Sequence, residues 1–448
     1  LKDNGYYNFS RQYITFAVND TIRPPDTTER RPLVDVTTVV NDPLDGTAHR
    51  PYKVDVVYFT EDAGTQGPSR RDTVEYLNIH YLARRHRFSQ KVLNAKILIR
   101  PGALYSQQKS VDTQRLLGSL DMFKYANIFY DTTGGRFSAK LYANPLPKYT
   151  YSVEGGGTVT LANGFPGPFG STNFKIRNVF GGLEVFELRG TGGIEGVAGF
   201  GTEVGNRILS SQQLSLVSTL TFPRIVFPSR FKYIFDRFSP RTRVQVGYNF
   251  TGRPDFRRFG FQGSLTYAWQ PSLQKQFNVT LIELNRIFSN YASGPLGQAL
   301  QRQIDTVLRQ QGSTLWRAFQ KAFVSSVSAS YTFNSNVLNQ RQKARYLRLF
   351  AESGGSFLNF NAATNWLRIG SGDVDRNDLQ FYRFVKFNVD YRYYLPRKGR
   401  SMWAFRVNVG VANPYGPAGT LPYEKFFFSG GSNSVRAWLP RRLGLGSA

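Results

Sequence analysis

The sequence predicts a mainly β protein, in which small α+β modules precede an antiparallel transmembrane β-barrel that is truncated at its C-terminal end. Two observations support this fold class. From residue 144 onward, strands of about 9–13 residues alternate apolar and polar side chains, which matches a tilted membrane-crossing strand. Before that point, strands mix with helical stretches, as in a small module with helices on one face of a sheet.

Composition limits the function. The 448 residues carry a formal net charge of +27, yet the basic residues are scattered singly among aromatic ones and form no nucleic-acid motif. We therefore expect no nucleic-acid partner. The absence of cysteine excludes a disulfide framework and cysteine-ligated zinc. No apolar run reaches about 18 residues, so no membrane-spanning helix is predicted.

Residues 1–143 are predicted to hold one partial and one complete α+β module. Residues 1–44 contain the strand-like runs Tyr13–Val18 and Leu33–Val40 and resemble the tail of a module. Residues 45–143 show the order β-α-α-β-β. The predicted elements are a strand at Val54–Phe59, helices near Phe88–Ile99 and Ser106–Leu120, and a hairpin of Asn127–Tyr130 with Phe137–Tyr142 around Gly134 and Gly135.

The helix at Ser106–Leu120 has both a start signal and an apolar face. Ser106 is a residue type that caps helix N-termini. The predicted apolar face consists of Val111, Leu116, Leu117 and Leu120.

Residues 144–448 are predicted to form the barrel. In the clearest strand, Phe381–Tyr393, the residues Val385, Phe387, Val389, Tyr391 and Tyr393 alternate with Lys386, Asn388, Asp390 and Arg392. The runs Val244–Phe250, Phe323–Phe333 and Trp403–Val411 alternate in the same way. Their polar faces are rich in Ser, Thr and Asn, which suits the enclosed wet interior of a barrel better than the open face of a soluble sheet.

Short and long connections alternate between these strands, as in outer-membrane barrels. The short ones are Phe180–Gly182, Gln270–Ser272 and Pro396–Arg400, and the long ones are Gly193–Ser211, Ile287–Lys321, Glu352–Asp378 and the chain from Pro414. Pro223–Pro240 is long where a short turn is expected. About eleven strands precede Pro414, which leaves the barrel open, so we expect a fragment with further strands after Ala448.

The connection Ile287–Lys321 contains a helix signal. Apolar residues recur at helical spacing, and Gly312 can end the run. The periodic positions are Leu296, Leu300, Ile304, Val307 and Leu308. A helix packed on the rim of the barrel is favoured over a helix that binds a partner.

The stretch Phe426–Pro440 is the most unusual connection of the chain. Gly430 and Gly431 allow a sharp turn, and Arg436 stands alone between apolar neighbours, where it needs carboxylate or carbonyl partners if it is buried. A solvated surface loop is the alternative. The candidate loop motif consists of Gly430, Gly431, Ser434, Val435, Arg436, Ala437 and Trp438.

The first barrel strand, Tyr149–Leu161, is a candidate lateral seam. It has to pair with a strand beyond Ala448 to close the barrel, and glycines in a strand interior weaken pairing. The candidate seam residues are Tyr149, Tyr151, Val153, Gly155, Gly156, Gly157 and Val159. The alternative is a local bulge that eases barrel curvature.

No catalytic or metal-binding pattern is present in the sequence. His49, His80 and His86 fall in no metal or triad spacing, and we expect His80 and His86 to be exposed. The acidic run of Asp373, Asp375 and Asp378 offers carboxylates for calcium but lacks the spacing of a calcium-binding loop. We therefore expect no enzymatic activity, no metal and no cofactor.

Together these residues resemble the BamA/TamA superfamily of outer-membrane assembly and translocation proteins, and most of all its TamL-type branch of Bacteroidetes. One set of residues resembles part of that family's last periplasmic POTRA module. The set consists of Pro101–Tyr105 with Thr113, Leu116, Leu117, Leu120 and Phe123. Arg177–Gly182 is similar to the turn between the family's second and third strands, and Pro223 and Pro228 fall in a segment similar to one of the branch.

The family's sixth extracellular loop carries a Val-Arg-Gly-aromatic motif and folds back into the barrel. Val435 and Arg436 match that motif, whereas Ala437 stands where many relatives have Gly and Trp438 where they have Phe or Tyr. The resemblance therefore implies that residues 414–448 fold inward and that Arg436 is anchored in the lumen. Its carboxylate partner would lie in strands beyond this chain.

The resemblance further implies an assembly or translocation factor of the Gram-negative outer membrane. POTRA-like modules at residues 1–44 and 45–143 would lie in the periplasm, and a barrel at 144–448 would open laterally to client strands. The partners implied are outer-membrane lipids, client outer-membrane proteins and a periplasmic TamB-like protein. The alternatives are a substrate-specific pore, a two-partner secretion transporter and an extracellular carbohydrate-binding or enzymatic β protein.

Overall fold

The computed structural model describes residues 1–20, 34–43, 48–64, 71–159, 166–198, 208–226, 235, 238–308, 321–336, 341–355, 380–399, 401–415 and 419–428. The chain divides into two compact units, Leu1–Leu146 and Pro147–Ala448. Among the described helices, none has the length and apolar character needed to cross a membrane.

The N-terminal unit contains a two-stranded ribbon and a five-stranded sheet with two helices. The ribbon pairs β1 (Ile14–Asp20) with β2 (Val34–Val40). The sheet has the order β4-β5-β3-β7-β6 and consists of β3 (Val56–Thr60), β4 (Asp72–Tyr76), β5 (Ile79–Ala83), β6 (Phe123–Asp131) and β7 (Ser138–Pro145). The helices are α1 (Gln90–Lys96) and α2 (Gln107–Gly118). The core between them includes Phe59, Tyr81, Leu93, Leu116, Leu117 and Leu141.

The β4–β5 hairpin was absent from the sequence prediction. Leu77 and Asn78 form its tip with φ angles of 48° and 61°, in the left-handed region that non-glycine residues rarely enter. Because the tip has neither Gly nor Pro, the sequence gives no turn signal there. The order within residues 45–143 is therefore β-β-β-α-α-β-β rather than β-α-α-β-β.

The second helix begins as predicted, but its buried face differs. The Ser106 hydroxyl accepts a hydrogen bond from the Lys109 amide at 3.2 Å, which confirms the cap. Val111, expected on the apolar face, is 49% exposed, whereas Thr113 is buried beside Leu116 and Leu117. Thr113 fits there because its hydroxyl accepts a hydrogen bond from the Leu98 amide at 3.0 Å.

The second unit is a twelve-stranded sheet, and eleven of its described strands form one antiparallel meander. These are β8 (Tyr149–Val159), β9 (Pro166–Arg177), β10 (Val185–Ala198), β11 (Ile208–Phe222), β12 (Arg241–Gly252), β13 (Phe256–Ser272), β14 (Lys275–Tyr291), β15 (Ala322–Asn334), β16 (Ala344–Gly354), β18 (Phe384–Pro396) and β19 (Met402–Pro414). The remaining strand, β17 (Gln380–Phe381), pairs in parallel with β15. The mainly β, antiparallel fold class is thus confirmed.

The two faces of this sheet differ as the alternation predicted. On β18 and β19, the residues Phe387, Val389, Trp403, Phe405, Val407, Val409 and Val411 lie on one face, each at least 42% exposed. We call this the outer face. The opposite, inner face carries Lys386, Asp390 and Arg406, and Asp390 is buried there.

The connections alternate between a short and a long side as predicted, but their bounds differ. On the long side, residues 193–198 belong to β10 and residues 208–211 to β11, and β14 continues to Tyr291. On the short side, one turn is shifted. Gln270–Ser272 lies within β13, where a register irregularity falls between Trp269 and Ser272, and the turn itself is at residues 273–274. An irregularity is a position where a sheet tolerates Pro271, which has no amide hydrogen to donate.

The predicted rim helix is present. It is α3 (Pro295–Gln303), which continues into a π-helical turn at Ile304–Leu308. Leu300 and Ile304 are buried, at 3% and 1% exposure, so the helix packs through the predicted face. Gly312 lies outside the described residues.

Candidate functional site

Residues 419–428, which we call the plug segment, follow β19 and lie on the inner face of the sheet. Leu421 packs in an apolar cluster with Ile287, Val324, Tyr382 and Phe384. The next residues form a single 3₁₀ turn, Tyr423–Lys425. Beyond the turn, the Phe427 ring occupies the space in front of Gly410, which has no side chain to exclude it.

Charged side chains attach the turn of the plug segment to the sheet. The Lys425 ammonium lies 2.5 Å from Glu352 Oε1 on β16 and 3.2 Å from Glu283 Oε1 on β14. Glu424 forms an ion pair with Arg258 on β13. Lys386 on β18 donates to the Lys425 carbonyl at 2.9 Å.

Lys386 also places its ammonium 4.2 Å from the centre of the Phe427 ring. Such a contact is attractive because the face of an aromatic ring is electron-rich. The same lysine therefore holds the plug segment at two points, through a backbone carbonyl and through a ring. The side chain of Glu352 is only 2% exposed, so its charge depends on Lys425 and on Lys386, which is its register partner on β18, for compensation.

These contacts spread the plug segment across several strands of the inner face. Glu424 reaches β13, whereas Phe427 reaches β19, five strands away in the order of the sheet. A cavity of about 490 Å³ remains on the inner face, bordered by Asn249, Arg258, Gln262, Glu283, Pro422 and Lys425.

A second ion cluster joins β18 to β19 on the inner face. Asp390 accepts hydrogen bonds from Arg392 at 3.1 and 2.8 Å and from Arg406 at 3.2 and 2.9 Å. Asp390 is 5% exposed, and two guanidinium groups satisfy its oxygens. The sequence predicted that this aspartate faces inward, but not that Arg406 of the next strand would bind it.

The seam residues lie together on β8, at one edge of the sheet. In the described part of the chain, β8 pairs with β9 and has no second neighbour. Tyr149, Tyr151 and Val153 belong to its outer face and are 60–67% exposed. By alternation Gly155 and Gly157 belong to the same face, whereas Gly156 belongs to the inner face. Val159 is the last described residue of the strand.

The glycines of β8 face a strand that is itself poor in hydrogen-bond donors. Pro166 and Pro168 of β9 oppose Val159 and Gly157, and neither proline has an amide hydrogen. A Cβ atom added at Gly156 would lie 3.1 Å from the Phe169 ring. A Cβ atom added at Gly157 would have no neighbouring atom within 4 Å. The inner glycine therefore makes room for Phe169, a role that the sequence did not indicate.

The predicted loop motif is a different case from the seam residues. Gly430, Gly431, Ser434, Val435, Arg436, Ala437 and Trp438 lie outside the described residues. The plug segment that leads into them is described, and its ion pairs are carried by Glu424 and Lys425. Neither residue was singled out in the sequence, because a charged pair in a loop gives no local signal of burial.

The histidines and acidic residues form no metal centre in the described ranges. His86 is partly buried rather than exposed, with Nδ1 3.4 Å from Glu61 Oε1. Burial raises the pKa of Glu61, and His86 opposes that shift. Asp373, Asp375 and Asp378 lie outside the described residues.

Comparison with known proteins gives a family and a fold. A family model described as the Omp85 superfamily domain matches residues 197–448. The structure is similar to that of BamA from Haemophilus ducreyi lacking POTRA domains 1–3, with a TM-score of 0.50 and 11% identity, over 99% of this chain and 68% of that one. This likeness shows the fold.

A second solved structure, CdiB from Escherichia coli, aligns with a TM-score of 0.43 and 12% identity, over 89% of this chain and 74% of that one. No curated protein matches the sequence.

Proposed function

Because the chain belongs to the Omp85 superfamily, we propose that it is an outer-membrane factor that assists the insertion or passage of client proteins. The plug segment is the observation that carries the proposal. Lys425, Glu424 and Lys386 hold this segment on the inner face through ion pairs and one hydrogen bond to its backbone. A segment held by a few ion pairs can be displaced when a client enters.

Client strands would bind at β8. Among the described strands, β8 has a neighbour on one side only, and a strand edge of this kind can template an incoming strand through its N–H and C=O groups. The glycines of β8 and the prolines of β9 weaken the neighbouring pairing, which supports an edge that opens. The chemistry is exchange of backbone hydrogen bonds, with no covalent step.

The N-terminal unit would act as a POTRA-type module on the periplasmic side. Its sheet has two edge strands, β4 and β6, and β6 exposes Tyr125 and Phe129 at 40% and 57%. Clients or a large TamB-like partner would dock along these edges. As part of the same proposal, the chain belongs to the TamL-type branch.

Depletion in the native organism tests the function. We expect a fall in the folded content of outer-membrane barrels, measured by the migration of unheated and heated samples on gels. Unchanged folding across many barrels would refute the proposal. Loss of a single secreted protein, with barrel folding intact, would instead identify a two-partner secretion transporter.

A cross-linking experiment tests the plug segment directly. The chain has no cysteine, so Gly410→Cys with Phe427→Cys gives a pair that a short, reducible thiol cross-linker can bridge. We expect bridging to inhibit client insertion and reduction to restore it. In the control, Val389→Cys with Val409→Cys bridges two paired residues of the outer face and leaves the plug segment free. Equal activity of the two bridged proteins would contradict a moving plug.

A further inference from the structure

One end of the second unit carries a concentration of cations. In an antiparallel meander, the start of β8 and the turns after β9, β11, β13, β15 and β18 lie at the same end, which we call the short-turn rim. Its described cations are Lys148, Arg224, Lys275, Arg341, Lys343, Arg345, Arg397 and Lys398. All of them except the half-buried Arg224 are exposed.

Acidic residues do little to offset this charge in the described part of the rim. Residues 223–226, 273–274, 335–336, 341–343 and 397–399 contain none. The β9–β10 turn contains Glu184, which is only 2% exposed. Its carboxylate accepts from the amides of Phe180 and Gly182, at 3.3 and 3.0 Å, and so serves the turn itself.

Aromatic rings of the outer face lie directly beside these cations. The Lys148 ammonium is 5.6 Å from the centre of the Tyr149 ring, and the Arg397 guanidinium is 5.6 Å from that of Trp403. Near the β13–β14 turn, Trp269, Phe277 and Tyr331 form a row with ring centres 5.2 and 4.9 Å apart. Tyr and Trp at such positions mark the level of lipid head groups in membrane barrels.

Two adjacent turns of the rim are joined. Arg341, in the β15–β16 connection, donates through Nη2 to the carbonyls of Arg397 and Ser401, at 2.9 and 2.8 Å, in the β18–β19 turn. Lys343, Arg397 and Lys398 are thereby held in one neighbourhood before any ligand arrives. Because the backbones of the two turns are already joined, less conformational entropy of the turns is lost on binding.

We infer that the short-turn rim binds the phosphate groups of anionic phospholipids in the adjoining leaflet. The cations supply the charge complementarity, and the aromatic row places them at the depth of the head groups. The inference rests on the membrane placement proposed above and not on client handling.

Lipid retention by the full chain tests it. The protein is placed in nanodiscs of phosphatidylcholine with phosphatidylglycerol and extracted, and the lipids that stay bound are counted by native mass spectrometry. Each basic residue removed is expected to lower the preference for phosphatidylglycerol about fivefold, so Lys343→Gln with Lys398→Gln lowers it about 25-fold. The control, Arg257→Gln with Arg302→Gln, removes two exposed cations from the opposite end and leaves the preference unchanged.

Two outcomes would overturn the inference. One is an equal loss in both double variants, or in neither. The other is displacement of the lipid by inorganic phosphate beyond that caused by sodium chloride of matched ionic strength, which would indicate a site for free phosphate. Since no client is present, failure here leaves the proposed function untouched.

Discussion

Lys425 shows how much one side chain contributes to the position of the plug segment. Its ammonium lies between two carboxylates of strands that are not neighbours, Glu283 on β14 and Glu352 on β16. Because the Glu352 side chain is 2% exposed, water cannot replace the lysine as its partner. The pair therefore ties the segment to the inner face more firmly than a surface ion pair would.

We predict that Lys425→Met releases the plug segment. The change removes the nearest cation from a buried carboxylate and leaves Lys386, opposite it on β18, to compensate the charge; the cost is therefore below the about 3–5 kcal/mol of a buried pair that loses its one partner. Hydrogen exchange of residues 419–428 should become faster. Adding Glu352→Gln removes the orphaned charge and should restore part of the protection. Wild-type exchange in the single variant would show that the ion pair does not hold the segment.

Asp131 links stability to pH in the N-terminal unit. Its carboxylate accepts from Lys140 Nζ at 2.7 Å, from the Thr133 amide at 2.9 Å and from the Thr133 hydroxyl at 2.6 Å. The bond from Lys140, followed by those from Thr133, holds the pKa of Asp131 well below its usual range. Because the folded state favours the ionised form, this contribution is present at neutral pH and is lost as the pH falls below about 4.

We therefore predict that Asp131→Asn weakens the β6–β7 hairpin at pH 7 but hardly changes it in strong acid. Amide exchange in residues 123–145, compared at the two pH values against wild type, measures this difference. An equal effect of the substitution at both pH values would mean that the charge of Asp131 is not the cause.

At the scale of elements, β8 and β9 pair over the full length of β8, but both strands contain residues that weaken a strand pair. These residues are Gly155, Gly156 and Gly157 in β8 and Pro168 in β9. Gly157 pairs with Pro168, and Gly156 pairs with Phe169. Glycine contributes little packing to a strand, and proline removes a donor. By comparison, neither strand of the pair β10–β11 contains a proline.

Substitution of Gly156 and of Gly157 should change the rate of amide exchange in β8 in opposite directions. Gly157→Val adds a strand-favouring side chain into open space and should slow amide exchange in β8. Gly156→Val meets the Phe169 ring and should speed it, because the ring or the strand has to move. If β8 is the client edge, Gly157→Val also lowers client insertion. The same sign for both variants would contradict the distinction between inner and outer glycines.

The whole second unit is organised by the contrast between its two faces. The outer face of β18 and β19 is a continuous array of exposed apolar and aromatic residues, whereas the inner face holds ion pairs and a polar cavity. A soluble protein would bury the apolar face, so this arrangement suits a lipid environment.

We predict that a single introduced lysine impairs membrane insertion on the outer face but not on the inner face. Val389→Lys places a cation in the outer array and should reduce insertion into bilayers by about 2–4 kcal/mol if the site lies near the midplane. Asn388→Lys, one residue earlier on the inner face, should insert nearly as wild type. Folding into vesicles, followed by gel migration of unheated samples, compares the two. Equal insertion of both would refute the assignment of the faces.

The alternation of apolar and polar residues determined most of the architecture. It gave the two faces, the strands between Tyr149 and Pro414 and their number before the plug segment, because a strand exposes every second residue to the same surroundings. Local signals were sufficient for the Ser106 cap, the hairpin at Gly134 and Gly135, and the helix after β14. They failed at Leu77 and Asn78, where the turn contains neither Gly nor Pro.

Only the tertiary structure decided which charged residues meet. Glu283, Glu352, Lys386 and Lys425 are separated by tens of residues, and it is the strand register and the path of residues 419–428 over the inner face that bring them together. The role of Gly156 likewise depends on a ring from the next strand. Local periodicity sets which face a side chain occupies, but contacts between distant strands depend on register and curvature, which no short stretch of sequence contains.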